Sequence, residues 1–409
     1  MIKTLRNFFK YHKCQANYAK KLEEISLRTN KKIKIVFLVR ENQKWSYQSI
    51  YESLESDPRF ETIALVSLLK LSHDGKDKTR NNLEENYKFF KSKGINVDYA
   101  YQNGDYIDLK LFSPDIVFYD QPWDLPQIHE PDSVSKFALT CYVPYGFGVL
   151  DFKKDYTEKF HKLLYKMFVE HEETKKRYIK YNRNNGKNCV ISGQPKLDTY
   201  FEPESRNPQE IWKDSSKFKI IYAPHHSLDK NGLNYATFKN NGKFILELAQ
   251  RHPETTWVFK PHPRFKYALL RNNIMTEEEI EQYYEKWQNI GKICTDGNYF
   301  DIFKSSDILL TDCCSFLAEY SPTGKPIVQI KNHSKPKIEF NTIGKRILDG
   351  CYVIEENSEI ERAIEQLITG NDSKQNIRKR VCNEIFDFSQ KSADKIVGYI
   401  KEIAERRVE

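Results

Sequence analysis

The sequence predicts an α/β protein built from two successive doubly wound domains facing one cleft. Three observations carry this. Short apolar runs such as KIKIVFLV (Lys32–Val39) and DIVFY (Asp115–Tyr119) read as strands buried on both faces, the signature of a parallel sheet. Amphipathic segments separate those runs, as crossover helices require. The chain has 409 residues, more than one ordinary core absorbs, and its strand–helix rhythm pauses once and restarts.

The elements follow in order. The first thirty residues form a separate unit in which Lys3, Arg6, Lys10, Lys13, Lys20 and Lys21 interleave with Leu5, Phe8, Phe9 and Tyr18. That pattern suits a basic amphipathic helix, resting either on an anionic membrane surface or on the protein through Phe8, Phe9 and Leu22. The strand Lys32–Val39 leads through a polar loop to an amphipathic segment, Trp45–Ser56, and a strand, Thr62–Leu68. A helix near Asn81–Lys91 and strands at Ile95–Tyr99, Asp115–Tyr119 and Leu139–Gly146 come next. A helical stretch, Asp155–Lys180, precedes a short strand, Asn188–Ile191. SGQPKLDTYFEPESRNPQE (Ser192–Glu210) is rich in Pro, Gly and polar residues and reads as the linker. Beyond it, strands are expected at Lys217–Tyr222, Thr255–Phe259, Asp307–Thr311, Pro326–Ile330 and Cys351–Ile354. In TEEEIEQYYEKW, Thr276 and Glu279 have the spacing of a capping box. Gln375–Arg407 reads as one or two long amphipathic helices. The expected segments are therefore 1–30, 31–200, 211–372 and 373–409.

Composition narrows the function. Lys plus Arg exceed Asp plus Glu by 8, a mild bias towards anionic partners and not the dense stripe of a nucleic-acid binder. The eight cysteines form no CxxC pair and no zinc-like spacing, and their scatter suits a reducing compartment. No stretch approaches the roughly 18–20 apolar residues of a membrane span, and the N-terminus has no signal-peptide pattern, so a cytoplasmic location is expected.

Ligands of parallel α/β sheets bind beyond the carboxyl ends of strands, so the chemistry is sought there. In ILLTDCCSFLAEYSPTGKPIVQI, Thr311, Asp312, Cys314 and Ser315 lie between a strand and a helix start, where free N–H groups attract an anion. Helix capping by Asp312 or Ser315 is the alternative. In TWVFKPHPRF, Lys260, His262 and Arg264 follow a strand and suit a phosphate or a leaving nucleotide. In KIIYAPHHSLDK, His225 and His226 follow Pro224 and read as donor contacts or surface groups. In YDQPWD, Asp120 and Asp124 flank Trp123, a platform for a sugar or alditol.

Together these loops resemble the CDP-glycerol glycerophosphotransferase family of teichoic-acid and capsular phosphate polymer synthesis. The family's YAPTWR-like, K-x-HP and TDYSS…DY…kP elements read here as YAPHHS, KPHP and TDCCSFLAEY…GKP, in that order. SGQPKLD is similar to its TGyPRnD-type junction element. The resemblance covers Ser192–Ile330 and extends loosely to the N-terminal half. It implies a GT-B fold of two Rossmann-type domains, no cofactor and no metal, with a CDP-alditol held by the C-terminal domain. His262 corresponds to the family's phosphate-contacting His, Asp312 and Ser315 to the Asp and second Ser of TDYSS, and Glu319 to its later Asp. Cys313 and Cys314 replace Tyr and Ser, and His225 and His226 replace Thr-Trp. The WHGT-type motif, whose His is the family's base, is represented by VPYGF, which places Tyr145 where that His stands, before Gly146. A phenol is a poor base at neutral pH, so the base is left among Asp120, Tyr145, Asp124, His129 and Glu41, with Trp45, Trp123 and Gly146 beside the acceptor. The implied reaction moves an alditol phosphate from the CDP donor to a glycan or polymer hydroxyl. A GT-B glycosyltransferase using a nucleotide-sugar and a non-catalytic nucleotide-binding scaffold are the alternatives.

Overall fold

In a computed structural model the apolar runs become two separate parallel sheets. The structure describes residues 2–28, 31–71, 78–80, 82–229, 233–295, 299–333 and 338–406. The chain divides into two units: Met1–Phe147, Phe152–Asp198 and Phe388–Glu409 form the first, and Gly148–Asp151 with Thr199–Asp387 form the second.

The sheet of the first unit contains β1 (Ile33–Val39), β2 (Phe60–Val66), β3 (Val97–Tyr99), β4 (Ile116–Tyr119), β5 (Leu139–Tyr142), β6 (Lys166–Val169) and β7 (Cys189–Ile191). Their order is β7-β6-β5-β4-β1-β2-β3, with every pairing parallel. The chain winds outward from β1 in both directions, so the connectivity reverses between β1 and β4. That reversal leaves a crevice at the carboxyl ends of these two strands, where the loops after them diverge.

One sequence expectation fails here for a clear reason. Asp155–Lys180 is not a continuous helix but two short helices, Lys153–Thr157 and Lys159–Leu163, then β6 and the helix Glu172–Tyr181. The run KMFV lies between β5 and β7, where sheet burial outweighs the weak local helix preference of its neighbours.

The first thirty residues are not a separate unit either. Helix α1 (Ile2–Ser26) puts Cys14, Tyr18 and Ile25 into the same core as β1, β2 and β4. The Tyr18 hydroxyl bonds Thr140 Oγ1 (2.5 Å) and donates to the carbonyl of Leu163 (2.7 Å). Buried Lys21 reaches Asp115 at 2.8 Å, joined there by Arg28 at 2.5 Å. The apolar stripe is thus spent on packing, through residues other than Phe9, which is exposed. The side chains of Lys3, Leu5, Arg6 and Phe8 lie outside the described residues, as do Asn81, Lys230 and Arg407.

The junction falls at Asp198–Thr199, inside the expected linker. The SGQPKLD element has a structural task there. The Asp198 carboxylate accepts from the N–H groups of Ser392 (2.8 Å) and Ala393 (2.7 Å), capping the helix Ser392–Glu405. Gly193 has φ +86°, and a Cβ there would lie 2.4 Å from Ser392 Oγ, so only glycine fits. The tail is accordingly two helices in different units: Gln375–Ile385 belongs to the second and Ser392–Glu405 to the first.

The second unit has β8 (Phe218–Ala223), β9 (Thr255–Phe259), β10 (Lys292–Ile293), β11 (Ile308–Thr311), β12 (Ile327–Ile330) and β13 (Tyr352–Ile354). Their order is β10-β9-β8-β11-β12-β13, again parallel throughout, and the connectivity reverses between β8 and β11. All five expected strands match within a residue at each end. The edge strand β10 was not expected, because two residues carry no pattern. The Thr276–Glu279 capping box is present. Among the described residues, no helix is long and apolar enough to cross a membrane.

Candidate functional site

Both crevices are closed in the same way. An aspartate just past the strand on one side of the reversal holds the backbone of the loop on the other side.

In the second unit this aspartate is Asp312, after β11. It accepts from the His225 N–H (2.5 Å) and from the N–H (2.6 Å) and hydroxyl (2.8 Å) of Thr237. Burial raises its carboxyl to about 6 against those donors. Thr311 Oγ1 donates to the Ala223 carbonyl (2.6 Å) and accepts from the Cys313 N–H (2.9 Å). With the loops tied, three imidazoles gather at the carboxyl ends of β8 and β9. The His226 and His262 rings stack with centroids 3.8 Å apart and planes at 22°, and His225 lies 4.6 Å from His226.

The hydrogen bonds fix the tautomers of two of these rings. The Arg264 N–H donates to His262 Nδ1 (3.1 Å) and the Ser227 N–H to His225 Nδ1 (3.1 Å). In a neutral ring the proton is then on Nε2, so each ring keeps one N–H to donate. Neutrality is enforced chiefly by burial and secondarily by neighbouring charges. His225 falls to about 3, His226 to about 4 and His262 to about 2, with Arg264 and Lys260 adding to the last. His226 Nδ1 is buried with no partner among the described residues. An anion placed here would meet imidazole N–H donors and the exposed Arg264, whose backbone is bonded to the His262 ring.

The other donor-side residues fall behind this surface. Pro224, Thr311, Asp312, Cys314 and Glu319 are buried, and the Glu319 carboxylate accepts from the Tyr299 hydroxyl at 2.5 Å. Lys260 is buried too, its ammonium 5.1 Å from the Tyr299 ring centroid. These side chains shape the loops and do not line an open surface. Thr237, Ser227 and Tyr299 were not expected; Thr237 and Tyr299 act on residues 75 and 20 positions away, whereas Ser227 bonds His225 only two residues back.

A depressed histidine adds stability above its unfolded pKa that is lost as pH falls. All three rings are ordinary, near 6.5, when unfolded and resist protonation when folded. Asp312 works the other way, since its raised carboxyl takes a proton near pH 6 in the folded state. The balance of three against one is two protons between about pH 6 and pH 4. These four groups by themselves then contribute a fall of about 3 kcal/mol per pH unit, on top of what other shifted groups such as His161 and Asp155 add or remove. Urea midpoints of the wild type and of His226→Gln measured from pH 6 to 4 check this, and the variant's fall should be about one proton shallower. Identical slopes for the wild type and His226→Gln would contradict a His226 ring that resists protonation.

In the first unit the corresponding aspartate is Asp120, after β4. It accepts from the N–H groups of Arg40 (2.7 Å) and Glu41 (3.2 Å) and faces the Arg40 guanidinium at 3.6 Å. Arg40 is fully buried and also donates to the carbonyls of Gln121 (3.0 Å) and Trp123. This corrects the expectation that Asp120 is a base. Its lone pairs point at the loop it holds, and burial raises its carboxyl as the Arg40 charge opposes the rise. Trp45 is also reassigned, because its ring packs against Phe37, Tyr47 and Phe90 in the core. His129 is buried with Nε2 on the Ile107 carbonyl (2.8 Å).

Other acceptor-side residues do assemble. Trp123 and Tyr145 meet edge to face with centroids 6.0 Å apart, and Lys44 Nζ lies 5.3 Å from each ring. Lys44 also pairs with Glu41 and bonds Gln121 Oε1. Asp124 is exposed at φ 51°, and Gly146 has open space where a Cβ would stand. Lys44 was missed because Gln121, Trp123 and Tyr145, which surround its ammonium, lie far along the chain.

Comparison with known proteins places the molecule. No curated protein sequence gives a match. Among solved structures, the Neisseria meningitidis UDP-GlcNAc 2-epimerase bound to UDP-GlcNAc is similar at 13% identity and TM-score 0.56, over 92% of this chain and 100% of that one. A glycosyltransferase from Rickettsia africae gives 14% and 0.51, over 92% and 99%. The wall teichoic acid polymerase TagF gives 13% and 0.56, over 98% of both chains. These likenesses establish a shared α/β fold of the GT-B type. The model of the CDP-glycerol:poly(glycerophosphate) glycerophosphotransferase family matches residues 153–402, more than half of the sequence. The chain therefore belongs to the CDP-glycerol:poly(glycerophosphate) glycerophosphotransferase family.

Proposed function

We propose that the protein transfers glycerol phosphate, or a related alditol phosphate, from a CDP-activated donor to a hydroxyl of a cell-surface glycan or phosphate polymer, releasing CMP. The observation that carries this is the stack of neutral His226 and His262 beside exposed Arg264, at the sheet reversal of the unit that the family match spans. A diphosphate bound there receives imidazole N–H donors and the Arg264 charge without the competing hydration of a fully exposed surface. The acceptor oxygen attacks the phosphorus nearest the alditol. The bond from that phosphorus to the bridging oxygen breaks, and its electron pair leaves on CMP. The site's contribution is positioning and charge neutralisation as the phosphoryl group passes between oxygens. In this proposal His262 and His226 contact the donor, while Asp312, Thr311 and Glu319 hold the loops that carry them. The platform of Trp123, Tyr145 and Lys44 in the first unit serves the acceptor.

Incubation with CDP-glycerol, CDP-ribitol and UDP- or CMP-sugars, with a short glycerol-phosphate polymer as acceptor, tests the reading by the nucleotide released. CMP formation coupled to polymer growth is expected with a CDP-alditol, and UDP release alone would replace it with sugar transfer. The proposal includes a cytoplasmic protein peripheral to an anionic membrane, supported by Phe9, Lys13 and Lys20, which remain exposed on α1. Faster turnover of acceptor embedded in anionic vesicles than in neutral ones is then expected.

A further inference from the structure

The second unit carries, away from its histidine stack, a set of side chains that the transfer chemistry does not use. The helices Phe238–Arg251 and Asn357–Ile368 pack into one core through residues such as Leu246, Leu248, Ile360 and Ile364. That packing brings His252, which follows the first helix, beside Glu361 and Glu365 of the second. The two glutamates are one helical turn apart and share a face. One ligand atom from each of the three side chains lies within 4.8 Å of the others, and His252 Nε2 is 3.6 Å from Glu361 Oε1. A tetrahedral Zn²⁺ with bonds of about 2.1 Å sets its ligand atoms about 3.4 Å apart. The trio is therefore close to coordinating geometry.

A residue outside the trio sets the ring for this. The ionised Glu254 can only accept, and its Oε1 lies 2.7 Å from His252 Nδ1, so Nδ1 carries the ring proton. In the neutral ring Nε2 then has a lone pair turned towards the Glu361 carboxylate, and two acceptors face each other until a cation joins them. Histidine ligands of metals are held in this way, the outer carboxylate fixing the tautomer and raising the basicity of the ring. The His252 backbone is fixed too, since its carbonyl accepts from the Thr255 N–H (3.0 Å) and hydroxyl (2.6 Å). Arg251 donates to Glu361 Oε1 at 2.8 Å, which leaves Oε2 without a partner among the described residues. The Glu365 carboxylate has no partner among them either.

We infer that His252, Glu361 and Glu365 bind a divalent transition metal such as Zn²⁺, with water completing the coordination and Glu254 as the positioning residue. One imidazole with two carboxylates suits such an ion better than Mg²⁺, which prefers oxygen ligands and keeps its water. The site is at the amino end of β9, whereas the histidine stack is at the carboxyl ends of β8 and β9, so it stands independently of the transferase reading. The ion clips the end of one helix to the face of another and stabilises the second unit by binding its folded state.

Calorimetric titration of the full chain with ZnCl₂ tests this. The wild type should bind one equivalent more than Glu365→Gln or His252→Ala, and Zn²⁺ should raise its melting temperature more than theirs. Glu365 is exposed, so Glu365→Gln removes a ligand without disturbing the fold. Glu254→Gln leaves all three ligands in place and should weaken Kd about 10–100-fold. Equal Zn²⁺ binding by the wild type and both ligand variants would overturn the inference and assign the ion to another group, such as the cluster of His225, His226 and His262. A wild-type chain that takes up no Zn²⁺ would overturn it as well.

Discussion

Replacing His262 with alanine is expected to lower turnover of a CDP-alditol about 10²–10⁴-fold, the range for losing a group that donates to the developing charge. The ring is stacked on His226 and keeps an Nε2–H free to donate, because its Nδ1 accepts from the Arg264 backbone. Burial and the neighbouring cations keep it neutral at working pH, so its contribution is a directed hydrogen bond and not a positive charge. His262→Gln, whose amide N–H reaches about as far as the lost Nε2–H, should recover part of the loss. Steady-state CMP release by the two variants is the measurement, and an unchanged rate in His262→Ala would remove the ring from the reaction.

The second large effect is on stability. Asp120→Ala is expected to destabilise the first unit by about 3–5 kcal/mol, because it leaves the fully buried Arg40 guanidinium without its carboxylate. It also frees the N–H groups of Arg40 and Glu41, which carry the loop after β1. Urea unfolding followed by circular dichroism checks this. A variant as stable as wild type but inactive would return Asp120 to the role of base.

Both aspartates follow apolar strands, in VFYD and LLTD, and both read from sequence as possible chemistry. Their shared role was not legible there. It depends on which strand lies across the reversal, and that is a property of sheet order: β1 beside β4, and β8 beside β11. The same holds for α1. Its amphipathic pattern was plain, but whether the apolar stripe met lipid or protein depended on the surface opposite, which is the core around β1 and β4. The misread span Asp155–Lys180 is a third instance, since KMFV becomes a strand only because a sheet position awaits it.

The sequence by itself determined the two parallel α/β units, nearly all of their strands, the helix cap at Thr276 and the family to which the loops belong, because period, strand-end chemistry and motif spacing are local. Only the tertiary structure decided which polar side chains remain open to a ligand. Three histidines from two loops are brought into one stack, and a lysine is brought to two rings and a glutamate. Burial and hydrogen-bond commitment are set largely by neighbours distant along the chain, as with Asp120, whose partners Arg40 and Glu41 lie across the crevice.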